Sequence, residues 1–206
     1  MRIVCVSDTH GCHNELTIPD GDIFIHCGDF SMMGEYEDLM EFNKWLGTLP
    51  HKRKIVIGGN HDFILEKDYY FNVVHFSNAT YLEDNLLELD GLRIYGSPYT
   101  PRFGDWAFMR DRGNEMAKIW SKIPKDVDIL ITHGPPYGIL DVTKGGLKVG
   151  CLDLLGVINT LKPKIHLFGH IHESYGTIEK NGTKFYNCAL MNAYYDIVNG
   201  PVVIEV

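Results

Sequence analysis

The sequence predicts an α/β fold whose strands end in one shared polar crevice, and three observations predict it. The first is the stretch Lys54-Ile55-Val56-Ile57-Gly58-Gly59-Asn60-His61-Asp62: an apolar run, two glycines that allow a tight turn, then an amide, an imidazole and a carboxylate. The second is recurrence. Ile3-Val4-Cys5-Val6 leads to Ser7-Asp8-Thr9-His10-Gly11, Ile23-Phe24-Ile25-His26 to Cys27-Gly28-Asp29, Ile129-Leu130-Ile131 to Thr132-His133-Gly134, and Ile165-His166-Leu167-Phe168 to Gly169-His170-Ile171-His172. Ligands in open α/β sheets bind beyond the carboxyl ends of the strands, so five such turns point to one crevice and a metal centre. The third is size: 206 residues, 45% hydrophobic and 22% charged, suffice for one well-buried core, and residues 1–206 are expected to form a single domain.

After the first two strand and ligand units, residues 35–46 carry Leu39, Phe42, Trp45 and Leu46 at helical spacing, with acids toward the start as the helix dipole prefers. Pro50 ends that segment and the strand before Asn60 begins. Residues 68–81 are aromatic-rich and aperiodic and receive no assignment. Two apolar runs, 86–89 and 92–95, flank Asp90-Gly91, which predicts a hairpin with a type I′ turn. Residues 97–106 form a proline-punctuated aromatic loop that either shapes a pocket or packs on the surface. Helices are expected at 114–121 and at 151–161, the latter with Leu152, Leu155, Ile158 and Leu161 on one face, and a mobile segment beside the site at 135–146. A second hairpin is expected around Asn181-Gly182, and a last strand at 202–206.

The net charge of -8 argues against a general nucleic-acid binder, which neutralises phosphates with a basic stripe. A small phosphorylated substrate remains compatible, because bound cations reverse the local field. Five scattered cysteines without a C-x-x-C pair suggest neither a disulfide framework nor a thiolate zinc site. The first apolar run is too short for a signal peptide and no run approaches the ~20 residues of a membrane span, so a soluble, cytoplasmic protein is expected, without a membrane partner. Its oligomeric state is open.

Asp8, His10, Asp29, Asn60, His133, His170 and His172 supply imidazole nitrogens and carboxylate or amide oxygens without thiolate, a mixture suited to manganese, iron or zinc rather than calcium. Seven ligands exceed one tetrahedral ion and suit two divalent ions sharing a carboxylate, with Asp29 as the bridge and Mn2+ as the first choice. Two ions about 3.5 to 4 Å apart clamp an in-line phosphoryl displacement and activate a bridging hydroxide, so phosphoester hydrolysis is the natural reaction class. His61, beside Asn60, is placed to protonate a poor leaving alkoxide. His26, His51, His75 and His166 lack such context and read as core or surface, and His13 is expected at the surface. Tyr99, Phe103, Trp106, Tyr194 and Tyr195 suit base stacking or the core; Tyr99, Arg102 and Tyr194 are the expected substrate contacts.

The series Asp8-x-His10, Gly28-Asp29, Gly59-Asn60-His61-Asp62, Thr132-His133-Gly134 and Gly169-His170-x-His172 resembles the calcineurin-like metallophosphoesterase superfamily over nearly the whole chain. The resemblance implies a four-layer α/β/β/α sandwich with a dinuclear metal site at the strand carboxyl ends. It implies Asp8, His10, Asp29 and His172 at one metal, Asp29, Asn60, His133 and His170 at the other, and His61 as the catalytic histidine. The stretches Cys5-Val6-Ser7-Asp8-Thr9-His10, Phe42-Asn43-Lys44-Trp45-Leu46-Gly47, Arg93-Ile94-Tyr95-Gly96-Ser97-Pro98 and Thr132-His133-Gly134-Pro135-Pro136 are similar to the small metallophosphoesterase-domain (MPPED, class III phosphodiesterase-like) branch. Members of that branch hydrolyse phosphodiesters, including 2′,3′-cyclic nucleotides, or bind purine mononucleotides.

Some vertebrate members carry Gly where this chain has His170, which weakens their second metal, so the resemblance implies a competent enzyme here. The protein phosphatases extend Gly-Asp to a second Asp and Arg, whereas this chain reads Gly28-Asp29-Phe30-Ser31-Met32-Met33-Gly34. That departure argues against a protein phosphatase and leaves the group that orients His61 open, with Asp62 one candidate. The resulting expectation is a two-metal phosphodiesterase acting on small phosphodiesters such as nucleotides. The alternatives are a nucleotide phosphomonoesterase or pyrophosphohydrolase, and a purine-nucleotide-binding regulator with low turnover.

Overall fold

A computed structural model describes residues 1–67 and 69–206; Asp68, the first residue of the unassigned stretch, lies outside the described residues. The strands in chain order are β1 (Arg2–Val6), β2 (Ile23–His26), β3 (Arg53–Val56), β4 (Thr80–Tyr81), β5 (Asn85–Leu89), β6 (Leu92–Ser97), β7 (Thr100–Pro101), β8 (Met109–Arg110), β9 (Ile129–Thr132), β10 (Ile165–Phe168), β11 (Gly176–Lys180), β12 (Thr183–Asn187) and β13 (Val202–Glu205). The α-helices are α1 (Tyr36–Thr48), α2 (Tyr69–His75), α3 (Asn114–Trp120) and α4 (Leu152–Leu161).

The strands form a five-stranded sheet, β13-β1-β2-β3-β4, and a six-stranded sheet, β11-β12-β10-β9-β6-β5, beside the small pair β7-β8. Their interiors are parallel: β1 runs beside β2 with Ile3 opposite Ile23, and β9 lies between β6 and β10. Antiparallel strands stand only at the margins, where β13 joins β1, β11 joins β12 and β5 joins β6.

Alternation along each strand builds the layers. Ile3, Cys5, Ile25, Ile55, Ile131 and Leu167 meet between the sheets. Val4, Val6, Phe24 and Val56 point the other way and pack under Leu39, Phe42, Trp45 and Leu46 of α1. On the far side, Tyr95, Leu130 and Phe168 lie under Met116 and Trp120 of α3 and Leu154 and Ile158 of α4. The result is the expected α/β/β/α sandwich, and burial on both faces explains why the strands are almost continuous apolar runs.

Both hairpins have type I′ turns: φ is 50° at Asp90 and 84° at Gly91, and 54° at Asn181 and 86° at Gly182. Helix α1 begins at a reciprocal cap in which the Glu35 N–H donates to Asp38 Oδ2 (3.0 Å). Of the face expected for α4, Ile158 is buried and Leu155 and Leu161 pack against the same core, whereas Leu152 is 64% exposed and Leu154 is the residue buried in its stead. Two positions along a helix are about 200° around it, so once Leu154 faces the sheet Leu152 cannot. His13 is likewise buried rather than at the surface, its ring against Phe42 and Trp45. Residues 135–146 lie beside the site, tied down by Asp141, whose Oδ2 accepts the N–H groups of Gly138 (2.8 Å) and Gly150 (3.0 Å). Among the described residues no helix is long and apolar enough to cross a membrane.

Candidate metal centre

The turns after β1, β2, β3, β9 and β10 meet at one edge of the sandwich. The Asp8 N–H donates to the Gly28 carbonyl (3.0 Å) and the His10 N–H to that of Asp29 (3.1 Å), while the Gly169 N–H reaches the carbonyl of His133 (2.9 Å). Asp8, His10, Asp29 and His170 have φ of 56°, 40°, 56° and 69°. The left-handed region costs an L-residue about 1–2 kcal/mol, and such strain concentrates at functional sites. Close approach also demands glycine: a Cβ at Gly59 would stand 2.3 Å from Asp29 Oδ1, and one at Gly169 would stand 2.1 Å from Asp8 Oδ2.

Asp62 fastens this framework. Its buried carboxylate accepts the N–H groups of Asp29 (2.8 Å), Gly59 (2.9 Å) and Ser31 (3.1 Å) and the Ser31 hydroxyl (2.8 Å). Burial, with the charge of Asp29, pushes its carboxyl up to about 7 while these donors pull the other way. Asp62 therefore holds the backbone of two ligand turns. It does not orient His61, whose Nδ1 donates instead to the Met32 carbonyl (2.7 Å).

Carbonyl partners also set the tautomers of three other histidines. Nδ1 of His10 faces the Ser31 carbonyl (3.2 Å), that of His133 the Cys27 carbonyl (2.9 Å), and that of His172 the Asn192 carbonyl (3.0 Å). A carbonyl only accepts, so each Nδ1 carries a proton and each Nε2 is the ring nitrogen turned inward, a ligand atom once it gives up any proton. There the acceptors crowd. His10 Nε2 is 3.3 Å from His172 Nε2, which is 3.3 Å from Asp8 Oδ1. His133 Nε2 is 3.0 Å from Asn60 Oδ1 and 3.2 Å from Asp29 Oδ2. Such atoms repel one another unless a proton or a metal ion lies among them, and imidazole, carboxylate and amide donors gathered in this way fit a metal centre.

Asp29 links the two halves. Its Oδ1 accepts the His61 N–H (2.8 Å), which leaves Oδ2 to face His133 Nε2 at 3.2 Å and His10 Nε2 at 3.9 Å. Three sets of side chains bring ligand atoms within 4.8 Å of one another: Asp8, His10 and His172; His10, Asp29 and His61; and Asp29, His133 and His170. Six of the seven expected ligands fall in these sets with Asp29 at the junction, His61 enters the second set, and Asn60 joins through its 3.0 Å approach to His133 Nε2.

The electrostatics follow from this crowding. Burial alone would raise the carboxyls of Asp8 and Asp29, but His172 beside Asp8 and His133 beside Asp29 hold both well below the usual carboxylate range. Burial opposes charging His133 and His172, yet Asp29 and Asp8 respectively outweigh it and raise both to about 9. His170, with no such partner, is lowered to about 3 by burial and by the charge of His133. The carboxylates are negative and draw positive charge into the cluster.

A cavity of about 290 Å³ opens over the centre, lined by Asp29, Asn60, His61, His170 and His172 together with Phe103, Trp106, Glu173 and Tyr195. The His61 ring lies 4.4 Å from that of Trp106 and 4.7 Å from that of His10. The aromatic loop thus shapes the pocket. None of the three expected substrate contacts lines it. The Tyr99 hydroxyl is bonded to Glu83 (3.3 Å) beneath Arg110, Arg102 is paired with Asp111 (2.7 Å), and Tyr194 is 71% exposed and bonded to Lys144. The turn at residues 192–195 directs Tyr195 inward in place of Tyr194.

Sequence reasoning missed a second layer. The buried His26 accepts the Gly28 N–H at Nδ1 (3.3 Å), so its Nε2–H donates to the Thr9 hydroxyl (3.0 Å) between Asp8 and His10. The Thr132 hydroxyl donates to the Gly134 carbonyl (2.7 Å) and so accepts from His166 Nε2 (2.8 Å), fixing the turn of His133. Burial lowers both imidazoles to about 3, and they remain neutral. The available signal was symmetry of position: each histidine sits in a strand beside a threonine of the neighbouring ligand turn.

Residues 1–174 match the model of the calcineurin-like phosphoesterase family. Metallophosphoesterase domain-containing protein 1 of Homo sapiens is 41% identical over 229 residues, spanning 99% of this chain and 70% of that protein, and its Mus musculus counterpart matches equally well. An archaeal phosphodiesterase of known structure superposes with a TM-score of 0.51 at 16% identity, covering 100% of this chain and 93% of its own, a likeness of fold alone.

Proposed function

Since the chain belongs to the calcineurin-like phosphoesterase family, we propose that it is a two-metal phosphodiesterase acting on small phosphodiesters, nucleotides such as 2′,3′-cyclic nucleotides among them. In this reading Asp8, His10, Asp29 and His172 hold one divalent cation, and Asp29, Asn60, His133 and His170 hold the other. The donors are imidazole, carboxylate and amide, which favours Mn2+, with Fe or Zn as alternatives. When bound, the ions supply the positive charge that neutralises the phosphoryl oxygens and acidifies the attacking water.

The chain's own residues do the rest. Water adds to phosphorus and releases a proton to solvent, the P–O bond to the leaving alkoxide breaks, and His61 Nε2 delivers a proton to that oxygen and is recharged from solvent. The Met32 carbonyl keeps the other ring nitrogen protonated and the ring in place, and the indole of Trp106 covers it. Asp62, His26 and His166 hold the ligand turns.

The observation that carries the preference for diesters is the charge around the cavity. Among the described residues lining it there are two carboxylates, Asp29 and Glu173, and no Lys or Arg. A monoester dianion needs more positive charge than a diester monoanion, so the lining favours the diester. The expected result is kcat/KM at least about tenfold higher on bis-p-nitrophenyl phosphate than on p-nitrophenyl phosphate, about 1.4 kcal/mol in transition-state binding. Initial rates with Mn2+ provide the measurement, and a higher rate on the monoester would replace this reading with a phosphomonoesterase.

A further inference from the structure

Tyr195 lines the cavity over the centre, and among the described residues no group bonds its hydroxyl. Its ring lies 4.8 Å from that of His10, 5.4 Å from that of His172 and 6.4 Å from that of His61, edge to face in each case. The ring thus stands beside the half of the centre formed by Asp8, His10 and His172 and beside the histidine that serves the leaving group. It is 43% exposed, so part of it is open to whatever enters the cavity.

The turn around it builds this placement. Tyr195 takes φ of 64°, an outlying conformation for a bulky residue and one that concentrates at functional sites. Asn192 holds it there: the Asn192 carbonyl accepts the Tyr195 N–H (3.0 Å), and Asn192 Oδ1 accepts the N–H groups of Tyr194 (2.7 Å) and Asp196 (3.1 Å). The same carbonyl accepts the Nδ1–H of His172 (3.0 Å), so one atom fixes both a candidate metal ligand and the tyrosine. The Lys144 ammonium, 4.5 Å from the Tyr194 ring, keeps that neighbour on the outer side.

A phenol O–H is a donor without charge, in a cavity whose lining holds two carboxylates and no Lys or Arg. Burial raises it further above its ordinary value of about 10, so it stays protonated at working pH. We propose that the Tyr195 hydroxyl donates a hydrogen bond to a non-bridging oxygen of the phosphoryl group, which makes Tyr195 a substrate-binding residue of this site. The inference rests on the phosphodiesterase reading. A neutral donor suits a diester monoanion, and its bond strengthens as negative charge gathers on that oxygen when water adds to phosphorus.

The test compares Tyr195→Phe, which keeps the ring and removes only the hydroxyl, with Tyr194→Phe. On bis-p-nitrophenyl phosphate with Mn2+, Tyr195→Phe is expected to lose about tenfold or more of kcat/KM, the scale of a hydrogen bond to a charged group, and Tyr194→Phe to stay within about threefold of wild type. Inorganic phosphate, titrated calorimetrically into the Mn2+-loaded proteins, is expected to bind Tyr195→Phe at least about fivefold more weakly than wild type. Bound Mn2+ and the thermal unfolding temperature are expected to be unchanged in both variants. A Tyr195→Phe protein within about threefold of wild type in kcat/KM, or equal phosphate affinities, would overturn the proposal. A loss of activity that came with loss of Mn2+ would overturn it too, because the hydroxyl would then serve the centre and not the substrate. If wild type turns over no ester, the phosphodiesterase reading fails and phosphate affinity alone decides Tyr195: weaker binding by the variant supports the contact, and equal binding removes it.

Discussion

Replacing Asp29 by Asn is expected to lower kcat/KM on bis-p-nitrophenyl phosphate by about 10³- to 10⁴-fold at saturating Mn2+. The substitution keeps the shape of the side chain and the acceptor that Oδ1 offers to the His61 N–H. What it removes is the negative oxygen that faces both His133 Nε2 and His10 Nε2, and an amide does not bridge two cations. Charge stabilisation by metal ions is worth several kcal/mol at the transition state, and each ~1.4 kcal/mol is a factor of ten in rate. The folded chain should survive, because the variant relieves the burden of buried negative charge that Asp29 places on Asp62. Steady-state kinetics beside thermal unfolding give the measurement; activity within tenfold of wild type would show that Asp29 is not shared between two ions.

His61→Ala is expected to separate substrates by their leaving groups. On 2′,3′-cyclic AMP, whose leaving alkoxide needs a proton, the loss should be about 10²- to 10⁴-fold, the usual scale of general acid catalysis. On bis-p-nitrophenyl phosphate, where p-nitrophenolate departs unprotonated, it should stay within about tenfold. Metal content should not change, because the His61 side chain is held from outside by the Met32 carbonyl and the centre retains seven other donors. Equal losses on both substrates would assign His61 to holding the centre rather than to delivering a proton.

The strand and ligand alternation was legible in the sequence because two physical demands act on adjacent residues. A strand covered on both faces must be apolar along its whole length, as Ile3-Val4-Cys5-Val6 is, while the turn beyond it carries the polar chemistry. The side chains that meet at the candidate centre were legible for the same reason. Helix α2 was not: its one fully buried residue is Asn72, which bonds the Leu65 carbonyl (2.6 Å), and Tyr70, Val73 and Val74 are exposed, so no apolar stripe marks it.

Contacts made across long sequence separations were equally hidden. The Met32 carbonyl that holds His61 is a backbone atom and leaves no trace in residue type. The choice of Tyr195 over Tyr194 depends on a turn in which Tyr195 takes φ of 64°, a conformation that tyrosine composition does not signal. His13 looked like a surface residue because its burial comes from α1, which packs Phe42 and Trp45 over it.

The central claim is that seven side chains hold two divalent cations for hydrolysis, and the most direct measurement joins metal content to turnover in wild type and His170→Ala. Wild type is expected to retain two Mn2+ per chain and to hydrolyse bis-p-nitrophenyl phosphate and 2′,3′-cyclic AMP until a chelator stops it. The variant is expected to retain one ion and to lose about 100-fold or more of that activity. No turnover by wild type with any divalent metal, with AMP still bound, would contradict the account and assign the centre to nucleotide recognition.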